Sequence, residues 1–187
     1  MSGILDDRGK ALEKGFFAKQ DEQLLDRIRE RQLRGERREL LREVSGLTDE
    51  TLLERLEALG IEAETLAALA MFPLVAVAWA DGVMEPSERE AVLQGAEQAG
   101  LPSEGDAARL LRDWLEAPPP SELLAAWHNY AKAICAELDA AERAQLRDQL
   151  IGRAHAVADA AGGFLGLGNR VSKEEAALLD ELKGAFD

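Results

Sequence analysis

Apolar residues along this chain recur every three or four positions, and nowhere do β-branched residues alternate with polar ones over a strand's length. The pattern predicts helices and no strands. Residues 5–34 read as one long helix in which Leu12, Phe16, Leu24 and Ile28 form a stripe, interrupted by Gln20. Gly35 is the expected break, followed by a short basic helix over 36–44 that ends at Ser45 and Gly46. Thr48 stands where it would cap the next helix, with Asp49 and Glu50 on the first turn and Gly60 at the end. From Glu62 an apolar helix is expected to reach Ala80, bent or restarted at Pro73.

The second half punctuates itself in the same way. A helix should open at Pro86 and close near Gly100, and Ser103 with Asp106 should cap another that ends before Pro118. Ser121 and Glu122 open a helix to about Leu138, and Asp139 with Glu142 forms an approximate capping box for the following one. There Leu146, Leu150, Ala154, Val157 and Ala161 trace a core-facing stripe. After a glycine-rich loop at 162–170, Ser172 and Glu175 make a capping box for the last helix. The fold class is all-α: a helical bundle of about nine helices. An amphipathic arm over 1–46 precedes an acidic bundle over 48–187.

Composition sharpens this picture. The chain has 187 residues, 47% of them hydrophobic, enough for a real core. Its net charge of −14 is uneven: residues 1–43 hold 11 Lys/Arg and 10 Asp/Glu, so the remainder carries −15. A bundle this acidic repels nucleic-acid phosphates and would attract cations or a basic protein surface. The single cysteine, Cys135, admits no internal disulfide and fits a reducing compartment. The start shows no signal peptide, and the apolar run Leu66–Ala80 is too short and too closely flanked by Glu64 and Asp81 for a membrane span. A cytoplasmic protein is expected, with at most peripheral membrane contact.

The most informative segment is Ala78-Trp79-Ala80-Asp81-Gly82-Val83-Met84-Glu85-Pro86-Ser87-Glu88. An apolar helix meets an Asp-Gly turn, and a proline opens a helix with a glutamate on its first turn. This resembles the signature of the TerB-like family, helical proteins named for tellurite resistance, in which a Glu follows the Asp of an Ala-Asp-Gly turn by seven residues. The likeness covers about a dozen residues well and roughly 60–187 loosely. It implies a bundle of two related helical hairpins and a metal site at Asp81 and Glu88, with Ca²⁺ or Mg²⁺ as the cation. Glu85 stands where the family often has a small capping residue. The resemblance further implies a non-enzymatic interaction or scaffold module in a stress- or envelope-related assembly.

An internal repeat runs parallel to this. Val171-Ser172-Lys173-Glu174-Glu175 corresponds to Met84-Glu85-Pro86-Ser87-Glu88. In the second copy Ala161 replaces the Asp, and 14 residues instead of 7 separate that position from the Glu. Asp159, Glu174 and Glu175 are the carboxylates there that would join the first cluster.

Each of these features has a structural reading beside the chemical one. Asp81 can end a helix, and Glu88 and Glu175 can cap the next. The spacing is not that of an EF-hand loop. A metal-dependent hydrolase using Asp81 and Glu88 is the enzymatic alternative, and it would need further ligands. The loop 162–170 lacks the context of a phosphate-binding loop, and its Phe164, Leu165 and Leu167 either pack on the bundle or contact a partner. His128 and Cys135 share a helix face and, with His155, are the soft ligands. A core or boundary role fits them better. Trp79, Trp114, Trp127 and Tyr130 read as core or hairpin-edge residues. Seven Arg fall between 27 and 42 against three Glu, reading as a solvated, ion-paired helix. Residues Asp6 to Lys14 distantly resemble the start of the bacterial F-type ATPase inhibitor called the zeta subunit, which implies an arm docked on a partner machine. A helix of about thirty residues (~45 Å) would overreach the bundle, so the arm is expected to meet a partner or a second copy.

Overall fold

The computed structural model describes residues 26–27, 29–161 and 171–186, with the side chain of Ala161 excepted. The chain divides into two compact units, Met1–Leu40 and Leu41–Asp187. Among the described residues every regular element is helical.

The first helix, α1, covers 29–45. It runs through Gly35, where a break was expected. Gly35 has no positive φ, and the left-handed turn occurs instead at Gly46, φ +69°. Glycine inside a helix costs only about 1 kcal/mol relative to alanine, and the flanking Arg, Glu and Leu residues are strong helix formers. The predicted stripe of Leu12, Phe16, Leu24 and Ile28 lies outside the described residues.

Leu41 starts the second unit, buried, and Arg42 pairs with Glu50 of the next helix. That helix, α2 (Glu50–Ala58), is capped by Asp49 and not by Thr48: the Asp49 carboxylate accepts from the amides of Thr51 at 2.9 Å and Leu52 at 3.3 Å. Gly60, φ +76°, terminates it as expected.

Helix α3 (Leu66–Ala78) begins four residues later than the predicted Glu62. Thr65 explains the delay, because its hydroxyl accepts from the Glu62 amide at 2.9 Å and holds 62–65 as a turn. The helix then continues uninterrupted through Pro73. Ten of its thirteen residues are buried, so α3 is apolar all round and lies at the centre of the unit. It packs against α4 (Pro86–Gln98), α5 (Asp106–Glu116), α6 (Glu122–Glu137), α7 (Ala140–Ala161) and α8 (Lys173–Lys183). A 3-10 turn, Gly184–Phe186, places Ala185 and Phe186 in the same core.

Local chemistry explains the remaining boundaries. Helix α5 is entered through Gly105, φ +103°, with Asp106 as its first residue, so Ser103 is not its cap. The Asp139–Glu142 box forms as expected: Asp139 accepts from the Glu142 amide at 2.9 Å, and Glu142 accepts from the Asp139 amide at 3.0 Å. Leu150, Ala154 and Val157 of α7 are buried, whereas Leu146, predicted to face the core, is 36% exposed.

Two tertiary contacts tie the hairpin α3–α4 to the end of α5. The Trp79 indole N–H donates to the Trp114 carbonyl at 2.8 Å, and the Arg89 guanidinium donates to the Leu115 carbonyl at 2.6 Å. Both carbonyls lie in the last turn of α5, where helical partners run out, and the cation also complements the negative end of the helix dipole.

Candidate functional site

The α3–α4 junction is built by short-range bonds. Gly82 adopts φ +86°, which L-residues rarely do, and the Asp81 carboxylate accepts from the Val83 amide at 2.9 Å. Glu85 then takes an extended backbone and serves as the N-cap of α4, with Pro86 at its first position. Three residues on, Glu88 folds back so that its carboxylate accepts from the Glu85 amide at 2.9 Å.

The α7–α8 hairpin repeats this arrangement at its far end. Ser172 is the N-cap of α8, and its hydroxyl accepts from the Glu175 amide at 3.1 Å while Glu175 accepts from the Ser172 amide. Met84 and Val171, which precede the two caps, are both partly buried against the core. Glu88 and Glu175 are 2% and 4% exposed and are the buried charged side chains among the described residues.

Carboxylates are rarely buried unless paired with a cation. Glu88 is not: the charges that act on it are those of Glu175, Asp81 and Glu85, all negative. Burial raises the Glu88 pKa to about 7; the Glu85 amide bond works against that rise, and the three carboxylates add to it. The two hairpins therefore bring a pair of glutamates within electrostatic reach of one another, at the third position of each helix.

The other predicted residues are placed differently. Asp81 and Glu85 lie beside Glu88 but are exposed. Asp159 and Glu174 are exposed on α7 and α8, and neither is among the charges acting on Glu88. No group of three or more His, Cys, Asp or Glu among the described residues is arranged to hold a metal ion. Asp81, Glu88 and Glu175 each commit one bond to a backbone amide.

His128, Cys135 and His155 form no site. His155 is exposed and Cys135 is buried, where desolvation raises its thiol pKa, opposed by Arg143. A raised pKa is the opposite of what a nucleophilic thiol needs. The ring nitrogen Nε2 of His128 is buried without a hydrogen-bond partner, and desolvation lowers its pKa. Trp114 and Trp127 are buried as expected, the first with its ring edge-on to Phe72 and the second edge-on to Phe186.

One feature of α1 escaped the pattern reading. Leu33 and Leu40 are 56% and 48% exposed and, seven residues apart, share one face of the helix. The spacing itself was the available signal. No helix among the described residues is long and apolar enough to cross a membrane. No family model, no curated protein and no solved structure matches the chain.

Proposed function

We propose that this chain is a non-enzymatic interaction module of the TerB-like type, a bundle of two related hairpins whose buried glutamate pair responds to a proton or a divalent cation. The observation that carries the reading is the matched placement of Glu88 and Glu175, each buried and each the third residue of its helix. Two like charges buried together raise the free energy of the folded state, and either a proton or a cation between them lowers it. Binding such a ligand would therefore stabilise the module and set how its hairpins pack.

The capture of a partner falls to α1. Its exposed Leu33 and Leu40 form an apolar contact surface, and the exposed Arg27, Arg31 and Arg34 on the same helix suit an acidic protein. The acidic bundle of a second copy, at −15, meets that description.

Calorimetric titration with Ca²⁺, Mg²⁺ and Mn²⁺ tests the cation half of the proposal. Millimolar or tighter binding that Glu88→Gln and Glu175→Gln each weaken at least tenfold is the expected result. Heat unaffected by both substitutions would leave the glutamates with a capping role alone.

A further inference from the structure

Two exposed rows of alternating charge and leucine stand on different helices of this chain. Along α1, Arg29, Leu33, Arg37 and Leu40 are exposed, and spacings of four, four and three set them in one row. Along α4, Glu90, Leu93 and Glu97 are exposed and form a second row, which Leu101 extends just past the helix end at Gln98. Leu93 is 39% exposed. All four residues of the second row line an open groove between α4 and α5, with the buried Ala96 and Leu111 also in its wall.

A single exposed leucine needs no explanation. What carries the argument is that the two rows are complementary position by position. Laid parallel with Leu33 over Leu93, they bring Arg29 to Glu90, Arg37 to Glu97 and Leu40 to Leu101. Leu33 and Arg37 are four residues apart, as are Leu93 and Glu97, so this register holds at the helical rise. Laid antiparallel, the charges still meet, but Leu40 then falls beside Pro86, which does not line the groove. Glu30 and Glu36 lie about 60° to either side of Leu33, at the edge of the contact, where solvent screens them.

We infer that α1 of one copy docks along α4 of a second copy, parallel to it, with Leu33 and Leu40 in the groove beside Leu93. The inference rests on the reading of α1 as the capture helix and adds the place on the bundle where it lands. A second copy is the occupant because the chain carries both rows in equal number, and reciprocal docking about a twofold axis uses both at once. The leucines supply the affinity, since exposed ion pairs contribute little. The two arginine–glutamate pairs set register and direction, and they make the association sensitive to salt.

The test is sedimentation velocity on the full chain at low ionic strength, with far-ultraviolet circular dichroism to confirm that each variant is folded. Leu93→Glu should raise the dimer dissociation constant at least tenfold. Arg37→Glu should do the same, because each substitution counts twice in a reciprocal dimer, and adding Glu97→Arg should bring the constant back to within about threefold of the original. If Leu93→Glu does not fold, the exchange of charge between Arg37 and Glu97 decides the matter. Rescue of Arg37→Glu by Glu90→Arg in place of Glu97→Arg would overturn the parallel docking. A dimer that Leu33→Glu with Leu40→Glu abolishes, but that a folded Leu93→Glu protein retains, would keep α1 as the capture helix and overturn its placement here. An unaltered chain that is monomeric at every concentration would remove self-association and this surface together.

Discussion

Glu88 and Glu175 hold the same place in two different helices, both buried and each accepting the amide of its own N-cap residue, so the acidic centre of this bundle is assembled from two local capping motifs. A capping glutamate is normally half in water. Here the packing of the two hairpins covers both, and a motif that is mildly stabilising at a surface becomes a source of stored repulsion.

That repulsion should appear as a pH dependence of stability. The Glu88 pKa is about 7 in the folded chain against an ordinary 4.5, so between those values the folded state holds a proton that the unfolded state has released. Stability from this group is therefore fully present below pH 4.5 and is lost as pH rises through about 7, by roughly 3 kcal/mol at most. Glu88→Gln can still accept the Glu85 amide and has no charge to bury. Its chemical-denaturation stability should exceed that of the unaltered protein at pH 8 and match it more closely at pH 5. Parallel pH profiles for the two proteins would show that Glu88 ionises freely.

Ser172 isolates the capping contribution from the electrostatic one. Ser172→Ala removes the hydroxyl that the Glu175 amide donates to, and should cost about 1 kcal/mol at any pH between 5 and 8. A loss that changes steeply with pH would mean that the cap and the glutamate pair are coupled.

Two glycines in helices should respond in opposite directions to alanine. A Cβ on Gly95 would lie 2.7 Å from Cδ2 of Leu74, a side chain that is fully buried. Gly95→Ala should destabilise by about 1–3 kcal/mol through overpacking between α3 and α4. A Cβ on Gly152, in the middle of α7, would meet nothing within 4 Å. Gly152→Ala should therefore stabilise by about 0.5–1 kcal/mol, the helix-propensity difference alone. Urea midpoints read both, and equal shifts in one direction would contradict the packing described.

Trp79 offers a test of how α5 is terminated. Trp79→Phe keeps a six-membered aromatic ring but removes the pyrrole half with the N–H that satisfies the Trp114 carbonyl, and should cost at least about 1–2 kcal/mol. An unchanged melting temperature would show that solvent replaces the bond at no cost.

The face of α1 bearing Leu33 and Leu40 predicts self-association. Leu33→Glu combined with Leu40→Glu should leave far-ultraviolet circular dichroism unchanged and raise the dimer dissociation constant at least tenfold in sedimentation velocity. A protein that sediments as a monomer at all concentrations before substitution would remove the second copy as the partner.

Much of the secondary structure could be read directly along the chain, because the interactions that start and stop helices reach only three or four residues. Asp139 with Glu142, Ser172 with Glu175, and Gly60 are such cases, and their bonds form where their spacing placed them. The structure departs from the sequence pattern where two local solutions compete. Asp49 outbids Thr48 for the cap, Thr65 holds a turn where a helix start was expected, and Gly35 yields to its helix-forming neighbours.

The candidate site divides along the same line. That Glu88 and Glu175 are helix-start glutamates in related hairpins was determined by the sequence itself, through the repeat of cap, two residues and Glu. That both are buried, that they feel each other's charge, and that Asp159 and Glu174 stay in solvent were decided only when α3, α4, α7 and α8 packed together. The bond of Arg89 to the Leu115 carbonyl belongs to the same class. Burial and long-range electrostatics depend on which helix faces meet, and that depends on the sum of many weak apolar contacts between residues distant in sequence. A capping box is written in four consecutive residues; the field around a buried carboxylate belongs to the whole bundle.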